Sequence, residues 1–492
     1  MITISGSKTP SFVLTLKLDT QKYQEDILDK RLEIGRQIYN ACLGKALKRY
    51  KAMTESKQYR LIQQMTKSSE RNHQLGELQK QYKLTQSDID AYVAPMQHKF
   101  KDNIDSHTAQ KLAERALAAV EKLIYSKAKQ VHFKKIGQDI SLEGKANNTG
   151  IKYRDGHILW NGLKIPVIIK PGDEYACLAI QSRIKYCRIY KRYTGNKYKY
   201  YVQLILEGIP PLKEIKVGQG DVGIDAGTQT AAIVADNEVM LVELSPQTKA
   251  VDKEIIRLQR KLDRSRRATN PDNFNPDGTI KKGIKHQWIK SKKYTKTQLL
   301  IKDRYRKRAG IRRQSHNKLA NHILSLGSNI KAENMDYEAL QRRAKETTIN
   351  QKTGRYNKKG RFGKSLANKA PAMLITIIDT KLNYFGLKLI KIKPKDTKAS
   401  QYNHVDDEYT KKELSQRWNE IMYKGGIRKI QRDLYSAFLL QNAEKDENTG
   451  KYYIDRDKCI DRFDGFLELH DKEIERLRGL KKEQRLISSM GI

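Results

Sequence analysis

The feature that most constrains this chain is a β-strand with no neighbour in sequence. Residues 12–18, FVLTLKL, alternate in the manner of a half-buried strand. No second strand follows. An amphipathic helix begins instead, its apolar side supplied by Ile27, Leu28, Leu32, Ile34, Ile38, Tyr39 and Leu43. Residues 50–140 then read as further helices rich in Gln, Lys and Leu. The next strand-like runs, HILW, LKIPVIIK, YACLAI and KYYVQLILEG, fall between 150 and 208 and are split by basic turns. A lone strand leaves its backbone donors and acceptors unpaired. Residues 12–18 are therefore expected to join those later runs across the helical segment. The expected result is a mostly antiparallel, β-barrel-like module built from residues 1–20 and 145–215. A helical lobe at 21–144 interrupts it.

A third texture begins at 221. DVGIDAGTQTAAIV and EVMLVEL read as three short strands in succession. A long basic helix follows, KAVDKEIIRLQRKLDRSRR, with Ile255, Ile256, Leu258 and Leu262 as its apolar stripe. Residues 270–286 read as a polar loop, 288–326 as a second basic helical stretch and NIKAEN as a strand. A helix at 366–384 leads into the strand LKLIKIKP, and a last apolar helix, LYSAFLLQNA, starts near 432. Beyond 444 the chain is charged and helix-like. The fold class is multidomain α+β. Its second α/β module spans 216–398 and 428–443, an insert occupies 399–427, and a charged tail covers 444–492.

Charge narrows the partners. Lys and Arg number 97 against 56 Asp and Glu, a formal net charge of +41. Self-repulsion on that scale calls for a polyanion, and nucleic acid fits best. Arg257, Arg260, Arg264, Arg267, Arg312, Arg313 and Lys318 crowd the two basic helices and are expected at phosphates. Residues 341–364 hold few large apolar side chains and are expected to be mobile without a partner, with Tyr356 and Phe362 available to stack on a base. No run of eighteen apolar residues exists and no signal-peptide core opens the chain, so an intracellular protein without a membrane partner is expected. The cysteines, Cys42, Cys177, Cys187 and Cys459, are scattered without a CxxC. Neither a disulfide framework nor a structural zinc is expected.

Three carboxylates stand where a charge is costly. Asp225 lies inside the apolar strand of GIDAGT, Glu333 ends ILSLGSNIKAEN, and Asp433 opens the helix LYSAFLLQNA. Singly, each has an ordinary reading: a turn residue, a strand-end surface charge, an N-cap. Jointly they have a chemical logic. Phosphodiester cleavage needs a water activated and a leaving oxygen stabilised, and two divalent ions roughly 4 Å apart do both. Hard carboxylate ligands suit Mg²⁺ or Mn²⁺. Asp225 would bridge both ions, with Glu333 and Asp433 holding one each. A rival third ligand lies in IDRDKCIDRFDGF, which offers Asp455, Asp457, Asp461 and Asp464. The residues after it are less apolar than LYSAFLL, which favours Asp433.

The order of these pieces resembles the TnpB family of transposon-encoded proteins, which is related to the Cas12 nucleases. FVLTLKL with the helix carrying GRQIYNACL resembles the family's opening, and KQVHFKK at 129–135 resembles the stretch before its β domain. GIDAGT is similar to the first RuvC motif, with Asp225 as metal ligand. LQRKLDRSRR and RRQSHNKLA resemble the paired basic helices that follow. AENMDY is similar to the second motif, with Glu333, and QRDLYSAFLLQNA to the third, with Asp433. The resemblance implies a wedge domain interrupted by a recognition lobe, then an RNase H-like RuvC domain. It implies a Mg²⁺-dependent endodeoxyribonuclease directed by a guide RNA from the transposon end, cutting duplex target DNA beside a short adjacent motif. It further implies a prokaryotic cytoplasmic setting near the nucleoid, as monomer or homodimer. A guide-dependent repressor without cleavage and an unguided RuvC-like transposition or resolving nuclease remain as alternatives. One departure stands out. The family carries a zinc ribbon before its third carboxylate, whereas residues 399–427 hold no cysteine. His404 with Asp406, Asp407 and Glu408 has only generic metal spacing. The expected structure is a metal-free remnant packed around Tyr402, Trp418 and Tyr423, with Arg417 keeping a role beside the site.

Overall fold

The structure is a computed structural model. It describes residues 10–492 except 139, 212–215, 352, 353, 355, 358, 361, 414 and 415. The outer ends of the expected first module, 1–9 and 212–215, therefore lie outside the described residues, as do single positions of the 341–364 and 399–427 segments. The chain divides into two compact units, Met1–Leu212 and Lys213–Ile492.

In the first unit, β1 (Ser11–Leu18) buries Phe12, Leu14, Leu16 and Leu18 and exposes the residues between them. Helices α1 (Lys22–Glu55), α2 (Lys57–Gln64), α3 (Ser69–Gln81), α4 (Gln86–Lys99) and α5 (Ser106–Ile124) follow. Strands β2 (Ser141–Glu143), β3 (Lys152–Arg154), β4 (His157–Trp160) and β5 (Leu163–Ile168) come next. They precede helix α6 (Glu174–Ala179), β6 (Ile184–Thr194) and β7 (Lys197–Glu207). The described strands form one antiparallel sheet in the order β2-β6-β7-β1-β5-β4-β3. β1 pairs with β7 from Ser11↔Glu207 to Lys17↔Tyr201 and with β5 at Lys17↔Ile168, so the lone strand does find its partners across the helices. β3 comes against β6, which curls the sheet toward closure.

One run departs from expectation. YACLAI, read as a strand, lies in α6, because Asp173 caps the helix by accepting from the Ala176 backbone N–H at 3.0 Å and the segment lacks β-branched residues until Ile180. The helices are fastened to the sheet by a buried cation. The Arg31 guanidinium donates to the carbonyls of Trp160 (2.8 Å) and Asn161 (2.7 Å) and lies 4.6 Å from the Trp160 ring.

In the second unit, β8 (Asp221–Ala226), β9 (Thr230–Ala235) and β10 (Val239–Glu243) run antiparallel in succession. Helices α7 (Lys249–Thr269) and α8 (Lys292–Leu326) pack as a hairpin. β11 (Asn329–Glu333) then lies parallel to β8. Helices α9 (Tyr337–Gln341), α10 (Gly363–Lys369) and α11 (Pro371–Tyr384) lead to β12 (Ile390–Ile392), parallel to β11. The sheet order is β10-β9-β8-β11-β12. After α12 (Pro394–Thr397) come two small hairpins, β13 (Tyr402–Asn403) with β14 (Glu408–Tyr409) and β15 (Trp418–Tyr423) with β16 (Gly426–Gln431). Helix α13 (Arg432–Gln441), strands β17 (Ala443–Lys445) and β18 (Tyr452–Ile454) and helix α14 (Arg456–Lys482) complete the unit.

Strand alternation decides which helices cover which face. Val222, Ile224, Ile330 and Ala332 point to the side packed by Ile323 and Leu324 of α8 and Leu374 and Ile378 of α11. The opposite side receives α13, backed by α14. Residues 444–492 are thus more than a charged tail. Within their charge, Cys459, Phe463, Phe466, Leu467, Ile474 and Leu477 recur at helical spacing and are buried against α13.

Candidate active site

Under α13 the central strand β8 presents a glycine and an acid. On β8, alternation puts Gly223 and Asp225 there, and on β11 it puts Lys331 and Glu333 there. Gly223 lets the helix backbone sit directly on the strand. A Cβ on it would overlap the Ala437 carbonyl oxygen and lie 2.5 Å from the Gln441 nitrogen. The register Ala332↔Ile224 places Glu333 and Asp225 at the same ends of neighbouring parallel strands. Asp433 sits in the first turn of α13, and Ser436, one turn on, faces the same strand.

These placements bring the three carboxylates into one field. Burial, then Asp433, then Glu333, push the Asp225 carboxyl well above the usual carboxylate range, while hydrogen bonding from the Ser436 hydroxyl opposes the rise. Burial raises the Glu333 carboxyl too. Tyr337 sits beside both, its phenol donating to the Ala226 carbonyl at 3.0 Å, and burial, Asp225 and Glu333 together push that phenol up. Asp433 has cationic company. Its Oδ1 lies 3.3 Å from Arg432 Nη2 and its Oδ2 3.9 Å from Arg417 Nη1. Arg432 also donates to the Gln416 carbonyl at 3.0 Å, which ties the pair to the strand entering the β15–β16 hairpin.

The donor chemistry fits a hard divalent cation. Asp433 and Glu333 both act on the buried Asp225 carboxyl, and oxygen donors of this kind suit such an ion. Their oxygens do not form a ready coordination shell: among the described residues, no three His, Cys, Asp or Glu side chains stand in metal-ligating geometry.

At the other end of α13 lies a polar anchor. Lys331 is 2% exposed, donates from Nζ to the Gln441 carbonyl at 2.9 Å, and lies 3.3 Å from Asp221 and 3.5 Å from Glu444. A buried lysine at a helix C-terminus complements the carbonyl end of the dipole. Sequence reasoning missed Gly223, Lys331, Arg432, Ser436 and Tyr337. A signal existed for two of them, since Gly223 shares a strand face with Asp225 and Ser436 is three residues after Asp433.

The rival aspartates stand elsewhere. Asp455 caps α14 by accepting from the Lys458 N–H at 3.1 Å, Asp464 pairs with Lys424 at 2.7 Å, and Asp457 and Asp461 are exposed. In the 399–427 insert, Tyr402 is buried, and Tyr423 meets Phe463 edge-on at 4.8 Å. The Trp418 indole donates to the Gly491 carbonyl at 2.9 Å. His404 is fully buried against Phe463, with Nδ1 2.6 Å from the Tyr435 hydroxyl, and burial followed by Arg456 lowers it to about 4.

The seven basic residues split. Arg257, Arg260, Arg264, Arg313 and Lys318 are exposed along α7 and α8. Arg267 is committed to the protein, bonded to Asp263 (2.7 Å) and the Gly278 carbonyl (2.5 Å), and Arg312 donates to the Ala367 carbonyl at 2.6 Å. Arg267 nonetheless stays exposed, whereas Arg312 is half-buried. Of the proposed stacking residues, Tyr356 is 75% exposed and Phe362 37%.

No described helix is long and apolar enough to cross a membrane. No protein-family profile and no curated protein sequence matches the chain. Solved structures do. A Cas12f1 chain in complex with sgRNA and target DNA is 12% identical, with 88% of this chain and 99% of that chain covered at a TM-score of 0.41. A chain of a CRISPR-Cas12f ternary complex is also 12% identical, with 86% of each chain covered at a TM-score of 0.25.

Proposed function

We propose that this protein is an RNA-guided DNA endonuclease that cuts target DNA beside a short adjacent motif through a RuvC-like site of Asp225, Glu333 and Asp433. The observation that carries the nuclease reading is the meeting of these three carboxylates at two parallel strand ends and one helix start. A mixed sheet of three antiparallel strands followed by parallel ones, with helices on both faces, suits an RNase H-like nuclease. The guided part rests on the ordered TnpB-like motifs and on the charge of +41.

In this reading Asp225, Glu333 and Asp433 would hold two Mg²⁺ or Mn²⁺ ions, which when bound would supply charge neutralisation at the phosphate and acidify a water. The chain's own residues do the positioning. Gly223 and Lys331 fix α13 against the sheet, so Asp433 and Ser436 arrive at Asp225. Ser436 orients the Asp225 carboxylate by its hydroxyl. Arg417 and Arg432 stand beside Asp433, where they would meet a phosphate drawn to the site. Arg257, Arg260, Arg264, Arg313 and Lys318 line two helices suited to a nucleic-acid backbone. The insert packs through His404 and Tyr423 on Phe463.

A second reading has one observation in its favour. With Asp433 engaged by two arginines, the chain would bind a guided target and repress without cutting. The test is to express the protein with its native flanking DNA and sequence the RNA that stays bound. The complex is then given Mg²⁺ and a plasmid library with randomised flanks beside the guide match. A discrete RNA with guide-dependent cutting, lost in Asp225→Ala, supports the nuclease. A discrete RNA with tight binding and no cutting supports the repressor. Cutting without any discrete RNA leaves the unguided nuclease.

A further inference from the structure

The tip of the α7–α8 hairpin, residues 270–291, is not an unstructured polar loop. Asn270 is buried and clamps the far side of the turn: its Oδ1 accepts from the Ile289 N–H at 2.7 Å and its Nδ2 donates to the Ile289 carbonyl at 3.0 Å. Asn273 donates to the Gln287 carbonyl at 2.9 Å, and Phe274 bridges Ile280 in antiparallel fashion. The Trp288 ring stands edge-on to Phe274 at 5.7 Å, with the Arg266 guanidinium 5.0 Å from its centroid. Side-chain amides and a cation–aromatic cluster thus fix the conformation.

A segment so ordered would be expected to tuck its apolar side chains inward. This one does the reverse. Ile280 is 40% exposed, Ile284 55%, Trp288 36% and Ile289 62%. The Asn270 clamp holds the Ile289 backbone, so its side chain is presented outward. Interleaved with them in sequence are Lys281, Lys282, Lys285, Lys290, Lys292 and Lys293, all but Lys281 exposed. The acidic residues of the tip are Asp272 and Asp277, and Asp277 is spent on the N–H and hydroxyl of Thr279 at 2.8 and 2.7 Å.

We propose that this tip docks an unpaired nucleic-acid strand, with the lysines on its phosphates and Trp288, Ile284 and Ile289 against its bases. Charge chooses the class of partner. A basic surface repels a second copy of itself and attracts a polyanion. The exposed apolar groups choose its form. Base faces are open to an aromatic or aliphatic side chain in a single strand and hidden by stacking in a duplex. The proposal rests on the nucleic-acid reading above, and it adds a site remote in sequence from the three carboxylates.

The experiment uses the full chain and a fluorescently labelled oligothymidylate, with a duplex of equal length as control. The variants are Trp288→Ala, Trp288→Phe and Ile289→Ser. Ile289→Ser leaves the Asn270 clamp on its backbone intact, so the fold is preserved, and circular dichroism checks this. Trp288→Ala is expected to weaken single-strand binding about 5- to 100-fold. Ile289→Ser should weaken it less, Trp288→Phe should keep most of it, and duplex binding should hold. Equal single-strand affinity for the parent and Trp288→Ala overturns the tip while leaving the nuclease reading intact. Loss on the duplex as large as on the single strand also overturns it. Tip-dependent binding to phosphatidylglycerol vesicles with no effect on the oligothymidylate would assign the surface to a membrane instead. A parent protein that binds neither strand form overturns both this proposal and the function it rests on.

Discussion

Gly223 of β8 lies directly beneath the carbonyl of Ala437 in α13, with no room for a Cβ between them. That one contact sets how near Asp433 and Ser436 come to Asp225. Gly223→Ala is expected to push α13 outward at a cost of about 1–3 kcal/mol. A shift of that kind at a reacting centre costs roughly 100-fold in rate. Denaturant unfolding and cutting rate, measured on the same preparation, check this. Unchanged cutting with α13 demonstrably displaced would separate the helix from the chemistry.

Asp225 gives a pH prediction whose sign is unusual for an aspartate. Its carboxyl is held well above the ordinary 3.8 by burial and by Asp433 and Glu333. The folded state therefore binds its proton more tightly than the unfolded chain. Its stabilising contribution is complete below about 3.8 and is lost as pH rises through the raised value. Without divalent cations at neutral pH, Asp225→Asn should be more stable than the parent. Adding Mg²⁺ should stabilise the parent and leave the variant unmoved. Urea midpoints in EDTA and in Mg²⁺ decide it, and a variant less stable in EDTA would contradict the crowded-carboxylate description.

Lys331 anchors the far end of the same helix. Lys331→Met keeps the bulk of the side chain and removes the donor to the Gln441 carbonyl. Asp221 still has Arg462 at 3.3 Å. The expected loss is about 1–3 kcal/mol, the penalty for a buried carbonyl left unpaired. Thermal unfolding measures it directly. A neutral or stabilising effect would mean that α13 is held by its apolar packing alone.

His404 predicts an acid limb. Burial lowers it from 6.5 to about 4, so the folded protein resists taking a proton that the unfolded chain accepts. Stability from this source is whole above pH 6.5 and falls toward pH 4, by an amount on the order of 3 kcal/mol. His404→Gln should flatten that limb in urea unfolding at a series of pH values. An unchanged slope would place the acid sensitivity in other groups.

Much of the architecture is legible from residues alone. A strand at 12–18 with no neighbour had to pair with 150–208, and it pairs with β5 and β7. Local rules placed Asp225 in a strand, Glu333 at a strand end and Asp433 at a helix start, and the field of Asp433 and Glu333 on Asp225 depends on how those elements pack. What stayed hidden depends on distant partners. The bonds of Arg267 and Arg312 to the Gly278 and Ala367 carbonyls cannot be read from the helix sequence. Arg432 adjoins Asp433 in α13, but Arg417 reaches it from the residue before β15, along a path no periodicity specifies. The apolar stripe of α14 lay masked by charge, and the order of residues 270–291 depends on Asn270 meeting Ile289 nineteen positions away.

The measurement closest to the central claim is cutting of a guide-matched plasmid by the purified RNA-bound protein in Mg²⁺, with Asp225→Ala, Glu333→Ala and Asp433→Ala alongside. The account predicts linear product from the parent and loss of cutting in all three variants, each still binding the matched target. Full cutting by any one of them, or cutting that persists in EDTA, would contradict it.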